Sequence, residues 1–70
     1  MECIETPESS SIGRFCYDAL NQILLIEFKN GGIYKYHLVP ETVFREMLAA
    51  SSKGQFFLEN IRGEYDYTRI

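Results

Sequence analysis

The sequence predicts an α+β fold: a three-stranded antiparallel β-meander with two C-terminal helices packed on one face. Three observations carry this prediction. Branched and aromatic residues fill the stretch from Ser11 to Val39, in extended rather than helical patterning. "NGG" at Asn30-Gly31-Gly32 cuts the strongest extended run in two, as a hairpin loop does. Beyond Pro40, apolar residues recur at helical spacing instead. Seventy residues make one domain, and five Tyr with five Phe are a generous core supply for that size. Residues 1–8 hold three Glu and Pro7 with little to bury, and read as a flexible lead-in to a single domain over 9–70.

The first strand is "SIGRFCYD", Ser11 to Asp18, with Phe15 and Tyr17 on one face and Gly13 at the position of a bulge. Asp18 and Asn21 supply turn chemistry. "QILLIEFK", Gln22 to Lys29, is the surest strand, and "IYKYHLV" resumes the extended pattern after the glycines. A two-residue loop at Asn30-Gly31 would set Phe28 opposite Ile33 and Ile26 opposite Lys35. A three-residue loop, Asn30 to Gly32, is preferred. It sets Phe28 opposite Tyr34, Ile26 opposite Tyr36, Leu24 opposite Leu38 and Glu27 opposite Lys35, matching apolar with aromatic and acid with base.

Pro40 suits a first helical position. Val43, Phe44, Met47 and Leu48 then mark one apolar face, with Glu41, Arg45 and Glu46 turned away. Ser52 is the expected cap of a second helix, "KGQFFLENIR", in which Phe57 and Ile61 lie four apart and Gly63 follows as terminator. The tail "EYDYTRI" alternates Tyr65, Tyr67 and Arg69 and reads as a short extra strand or an extended arm on the sheet. The helices should cover Phe15, Tyr17, Leu24, Ile26, Phe28, Tyr34, Tyr36 and Leu38. Arg14, Cys16, Ile23, Leu25, Glu27, Ile33, Lys35 and His37 then form the outer face.

Several pieces occur in a telling order: Ser9-Ser10 before "GRFCYD", "LLIEFKNGGIYKY", Val39-Pro40, and "AASSKGQFFLENIR". In this the chain resembles the KTSC domain family, named for a C-terminal module of some lysyl-tRNA synthetases and also found as small stand-alone bacterial proteins. The family's Tyr-x-Tyr falls on Tyr34 and Tyr36, and its Ser-Lys-Gly turn on Ser52, Lys53 and Gly54. Cys16 departs from the glycine expected before the Tyr-Asp pair. The resemblance implies no established activity. RNA binding is suggested by the synthetase association.

Composition narrows the function classes. The net charge of −3 comes from Glu2, Glu5 and Glu8, so the remainder is neutral and avid nonspecific nucleic-acid binding is not expected. The acidic, polar N-terminus is unlike a signal peptide, and Ile23 to Ile26 is too short an apolar run to span a bilayer. A cytoplasmic protein without membrane attachment is expected. Cys3 and Cys16 then read as free thiols, and with His37 alone they make a metal site improbable. A Cys16–His37 pair on the outer face is the one nucleophile–base arrangement within reach, and a plain strand thiol outweighs it. No phosphate loop is present. The reading is a non-catalytic binding module without cofactor or metal. RNA binding would use Arg14, Lys35, Lys53 and Arg62, with Tyr65 or Tyr67 for stacking. Protein interaction or self-association would use the apolar outer residues Ile23, Leu25 and Ile33. In a third reading the C-terminal tail covers that face.

Overall fold

The computed structural model describes all 70 residues. The elements run β1 (Glu2–Glu5), β2 (Ile12–Asp18), β3 (Ile23–Phe28), β4 (Ile33–Tyr36), α1 (Glu41–Ala49), α2 (Lys53–Asn60) and β5 (Tyr67–Arg69). One antiparallel sheet takes the strands in that order, and both helices pack on one of its faces. The α+β class is as expected, with five strands rather than three. The meander gains an edge strand at each end, and the tail extends the sheet instead of folding across its outer face.

The N-terminal lead-in is therefore a strand followed by an ordered turn. Thr6 is buried, its Oγ1 donating to the Ile12 carbonyl at 2.6 Å and its N–H to the Gly13 carbonyl at 3.0 Å. Lys29 reaches back from the hairpin, its ammonium donating to the carbonyls of Pro7 and Ser9. Charge-assisted bonds from a distant side chain hold a polar segment that apolar burial could not. Pairing of β1 with β2 also sets Cys3 directly opposite Cys16. The two are joined as a disulfide across Cα atoms 4.0 Å apart, which corrects the free-thiol expectation. Once residues 1–8 are read as loose, nothing places those two sulfurs together.

Gly13 does mark a bulge: Ile12 stands opposite Phe28, but Arg14 stands opposite Glu27. An extra residue in an antiparallel ladder shifts the alternation of faces by one. Ile12, which strict alternation from Phe15 would turn outward, thus enters the core with no exposed surface. There it joins Phe15, Tyr17, Leu24, Ile26 and Tyr36 from the sheet, with Phe44, Met47, Phe57 and Ile61 from the helices and their flank. Phe44 meets Phe15 edge-on at 5.8 Å and stacks with Tyr17 at 4.9 Å. Each large side chain buried this way contributes about 1.5–3 kcal/mol.

The hairpin loop has three residues as expected, but they are Lys29, Asn30 and Gly31. Phe28 N–H donates to the Gly32 carbonyl at 2.8 Å, and Gly31 N–H donates to the Phe28 carbonyl at 2.9 Å. Gly31 has φ +99, the left-handed position such loops need, and Asn30 Oδ1 accepts from Gly32 N–H at 3.0 Å. Moving the loop back one residue shifts the register by two. Leu24 pairs with Tyr36, Leu25 with Lys35 and Ile26 with Tyr34. A shift of two preserves the faces while changing every partner, so Glu27 meets Ile33 and forms its ion pair with Arg14 across β2.

Leu38 is a second correction. Its φ is +57 and its side chain is exposed, because the chain leaves the sheet after Tyr36. Val39 takes the buried place: its N–H donates to the Gln22 carbonyl, and its own carbonyl accepts from the Tyr17 hydroxyl at 2.5 Å. Burial, reinforced by Glu41 nearby, pushes the Tyr17 phenol above its ordinary pKa and keeps it a donor. Pro40 stands one place earlier than expected, as the N-cap of α1. Ser52 caps α2, its hydroxyl accepting from Gln55 N–H at 3.2 Å, and Gly63 follows with φ +81.

The bulge has a direct test. Ile12→Ala should destabilise by about 2–5 kcal/mol, as a core cavity does. Ile33→Ala, on the outer face, should cost less than half of that. Urea denaturation of both variants reads the difference, and equal costs would mean that Ile12 is not a core residue.

Candidate functional site

The residues singled out from the sequence lie in different regions. Arg14 and Lys35 are on the outer sheet face, where Arg14 is bound to Glu27 and Lys35 lies between Leu25 and Thr68. Ile23, Leu25 and Ile33 share that face and are half-buried by their neighbours. His37 is engaged with the Thr68 hydroxyl at 2.9 Å, and Cys16 with Cys3, so the Cys16–His37 pair is not assembled. No three His, Cys, Asp or Glu residues gather closely enough to hold a metal ion.

Lys53 is half-buried, and its ammonium donates to the carbonyls of Leu48 at 3.0 Å and Ala50 at 2.5 Å. These are carbonyls at the end of α1, where a cation satisfies unpaired acceptors and the negative end of the helix dipole. Its ammonium is committed to the junction between the helices. The neighbouring Gly54 is held close to the N-terminal turn, since a Cβ there would lie 3.0 Å from the Ser11 hydroxyl oxygen. Ser9, Ser11 and the Ser-Lys-Gly turn thus face one another across a polar cleft of about 480 Å³.

Beside it, sharing Ser11, Gly54 and Leu58, lies an aromatic cleft of about 580 Å³ between α2 and the β4–β5 edge. Its floor and walls include Tyr34, Tyr36, Phe57 and Tyr67, with Arg62 and Arg69 at the rim. The Tyr67 ring lies 5.5 Å from Tyr34 and 5.6 Å from Tyr36, yet Tyr67 remains 59% exposed. The Arg69 guanidinium sits over the Tyr34 ring at 5.5 Å. Arg62 makes no ion pair with Glu59 or Glu64. Burial first, then the neighbouring Tyr67 and Tyr34, holds the Tyr36 phenol above its ordinary pKa, while Arg62 opposes the shift. It therefore stays protonated as a hydrogen-bond donor at neutral pH.

The structure thus brings together Arg62 and Tyr67 of the sequence-level candidates and leaves Arg14, Lys35 and Lys53 elsewhere. Tyr65 is half-buried against the core. Sequence reasoning misses Arg69 as a binding residue, although its alternation with Tyr67 in the tail is the available signal. It places Tyr34 and Tyr36 on the face under the helices, and their rings floor the cleft as well.

Residues 8–65 match the KTSC domain family, which covers most of the chain, while Tyr67 and Arg69 of the aromatic cleft lie just beyond the matched range. The chain belongs to the KTSC family. A crystal structure of a KTSC domain protein from Yersinia pestis superposes with a TM-score of 0.89 at 36% identity, covering 97% of each chain. This KTSC domain is also 41% identical over 64 residues to a lysine–tRNA ligase of Trichormus variabilis, covering 91% of the chain but only 11% of the ligase. An uncharacterised protein of Stutzerimonas stutzeri is 39% identical over 64 residues, with 90% of each chain covered.

The role of Lys53 in the KTSC domain is testable by stability alone. Lys53→Met keeps the stem and removes the charge, leaving the α1 carbonyls without their donor. A loss of about 1–2 kcal/mol in denaturant unfolding is expected. An unchanged midpoint would mean that the ammonium is not engaged at the helix end.

Proposed function

We propose that this KTSC domain is a non-catalytic module that binds single-stranded RNA in the cleft between α2 and the β4–β5 edge, acting in the cytoplasm. The observation that carries the reading is Tyr67, an exposed ring backed by two further tyrosines and flanked by Arg62 and Arg69. A base stacks on such a ring whatever its identity, and guanidinium groups take the adjoining phosphates. The likeness to a segment of lysine–tRNA ligases supports RNA as the nucleic acid. Lys53, Arg14 and Lys35 have no part in this arrangement. With a net charge of −3 over the folded chain, affinity must come from stacking and from two local cations.

Fluorescence anisotropy with labelled single-stranded RNA at low salt tests this. The logarithm of affinity should fall against that of salt with a slope of about −1.4, for two phosphates at about −0.7 each. Tyr67→Ala should weaken binding by about 1–3 kcal/mol, as loss of one stacking platform does. Arg62→Glu should weaken it at least tenfold, while Lys35→Glu should change little. If the wild-type protein shows no binding in low salt, the reading falls.

A second reading has its own observation. No element of the chain lies over Ile23, Leu25 and Ile33, because both helices are on the opposite face and the tail is in the sheet. A protein-interaction or homodimerisation module would bury that patch. Sedimentation should then show Leu25→Asp converting dimer to monomer. A wild-type protein already monomeric at high concentration would remove self-association from consideration.

A further inference from the structure

The disulfide between Cys3 and Cys16 does more than join two adjacent strands. We propose that it is a reversible thiol–disulfide couple that latches β1 onto the sheet, and that reduction releases β1 while the rest of the domain stays folded. Three observations support this. The two residues are unequal: Cys3 is exposed, whereas Cys16 has no exposed surface. A thiolate from solvent therefore approaches the bond from the Cys3 side, and an exposed disulfide is open to exchange.

The second observation is how little else holds β1. It is an edge strand of four residues, and none of them belongs to the buried core cluster. Ile4 packs against that cluster only in part, and Glu2 reaches Arg45 in an exposed ion pair that Arg45 also shares with Glu41. Exposed pairs of this kind add little. Third, the segment has a firm pivot. Thr6 is buried and bound to Ile12 and Gly13, and Lys29 holds Pro7 and Ser9. Residues 1–5 can detach without disturbing the turn that lines the polar cleft.

The chemistry balances with a dithiol as reductant. One thiolate of the dithiol attacks Cys3 Sγ, and the Cys3–Cys16 bond breaks with the electron pair leaving on Cys16, which takes up a proton. The second thiolate attacks the mixed disulfide, expelling the Cys3 thiolate and closing the reagent into its own disulfide. Two electrons pass to the cysteines, and the dithiol is oxidised. Release of β1 then bares the outer backbone of β2 from Arg14 to Tyr17 as a free sheet edge, open to another strand.

Hydrogen exchange read by mass spectrometry tests this on the full chain, oxidised and then reduced with dithiothreitol. Amides of residues 2–5 should exchange at least tenfold faster after reduction, with β3 and β4 still protected. Oxidised glutathione should restore slow exchange. Cys3→Ser should show the fast exchange with or without reductant. Equal protection of residues 2–5 in both states would overturn the latch, because the ladder alone would then be holding β1. Loss of protection throughout the domain on reduction would overturn it equally, as the bond would then be a staple for the whole fold. A chain whose two thiols remain free in oxidised glutathione would also end the proposal.

Discussion

The bulge at Gly13 is the constraint on which the rest of the molecule rests. A regular β2 could present only every second residue to the helices. With one residue inserted, Ile12 joins Phe15 and Tyr17 on the covered face, although its spacing from them is odd. In a domain of this size, one more fully buried branched residue is a large share of the available apolar burial. On its other side Gly13 stays in step with the N-terminal segment: its carbonyl accepts from Thr6 N–H, one place beyond the Glu5–Arg14 pair of β1 and β2. Core packing at one end of β2 and the anchoring of the N-terminal segment thus meet at one residue.

Much of the fold is legible in the residues, and the parts that are not have physical reasons. Strand positions, both helices, the Ser52 cap and the assignment of most side chains to faces come from periodicity, which local patterning carries well. The expected hairpin register differs from the observed one by two. Faces repeat every two residues, so apolar matching alone cannot separate registers that differ by that amount. Gly31 and Asn30 decide it through backbone bonds that side-chain pairing does not reveal. The edge strand β1 is hidden for a different cause. Its residues are largely exposed: a sulfur bond fixes them directly, while a buried threonine and a lysine more than twenty residues away hold the turn that follows.

The candidate site is half legible. Tyr67 and Arg62 can be named as surface groups with binding chemistry, but their meeting requires the α2 terminus to approach the β4–β5 edge. The tyrosines at 34 and 36 have two roles that a choice between core and surface cannot express. Tyr36 is nearly buried and packs on Phe57, while Tyr34 is half-buried beneath Arg69, and both still face the same cleft. Lys53 shows the opposite case. A lysine at the start of a helix looks available for an anion, yet its charge is used up by the carbonyl groups of the helix before it.

The order of strands also separates the two ends of the chain. Met1 adjoins β1 at one edge of the sheet, whereas Ile70 comes after β5 at the other and is bonded to Ile33. Neighbouring strands lie about 4.8 Å apart, so the two exits are separated by roughly 19 Å across the sheet. Any polypeptide continuing past Ile70 would emerge alongside Tyr67 and Arg69, at the mouth of the aromatic cleft. One preceding Met1 would emerge on the far side. The direction of attachment thus decides which surface a covalently linked neighbour can shade, and which is left open to the surroundings.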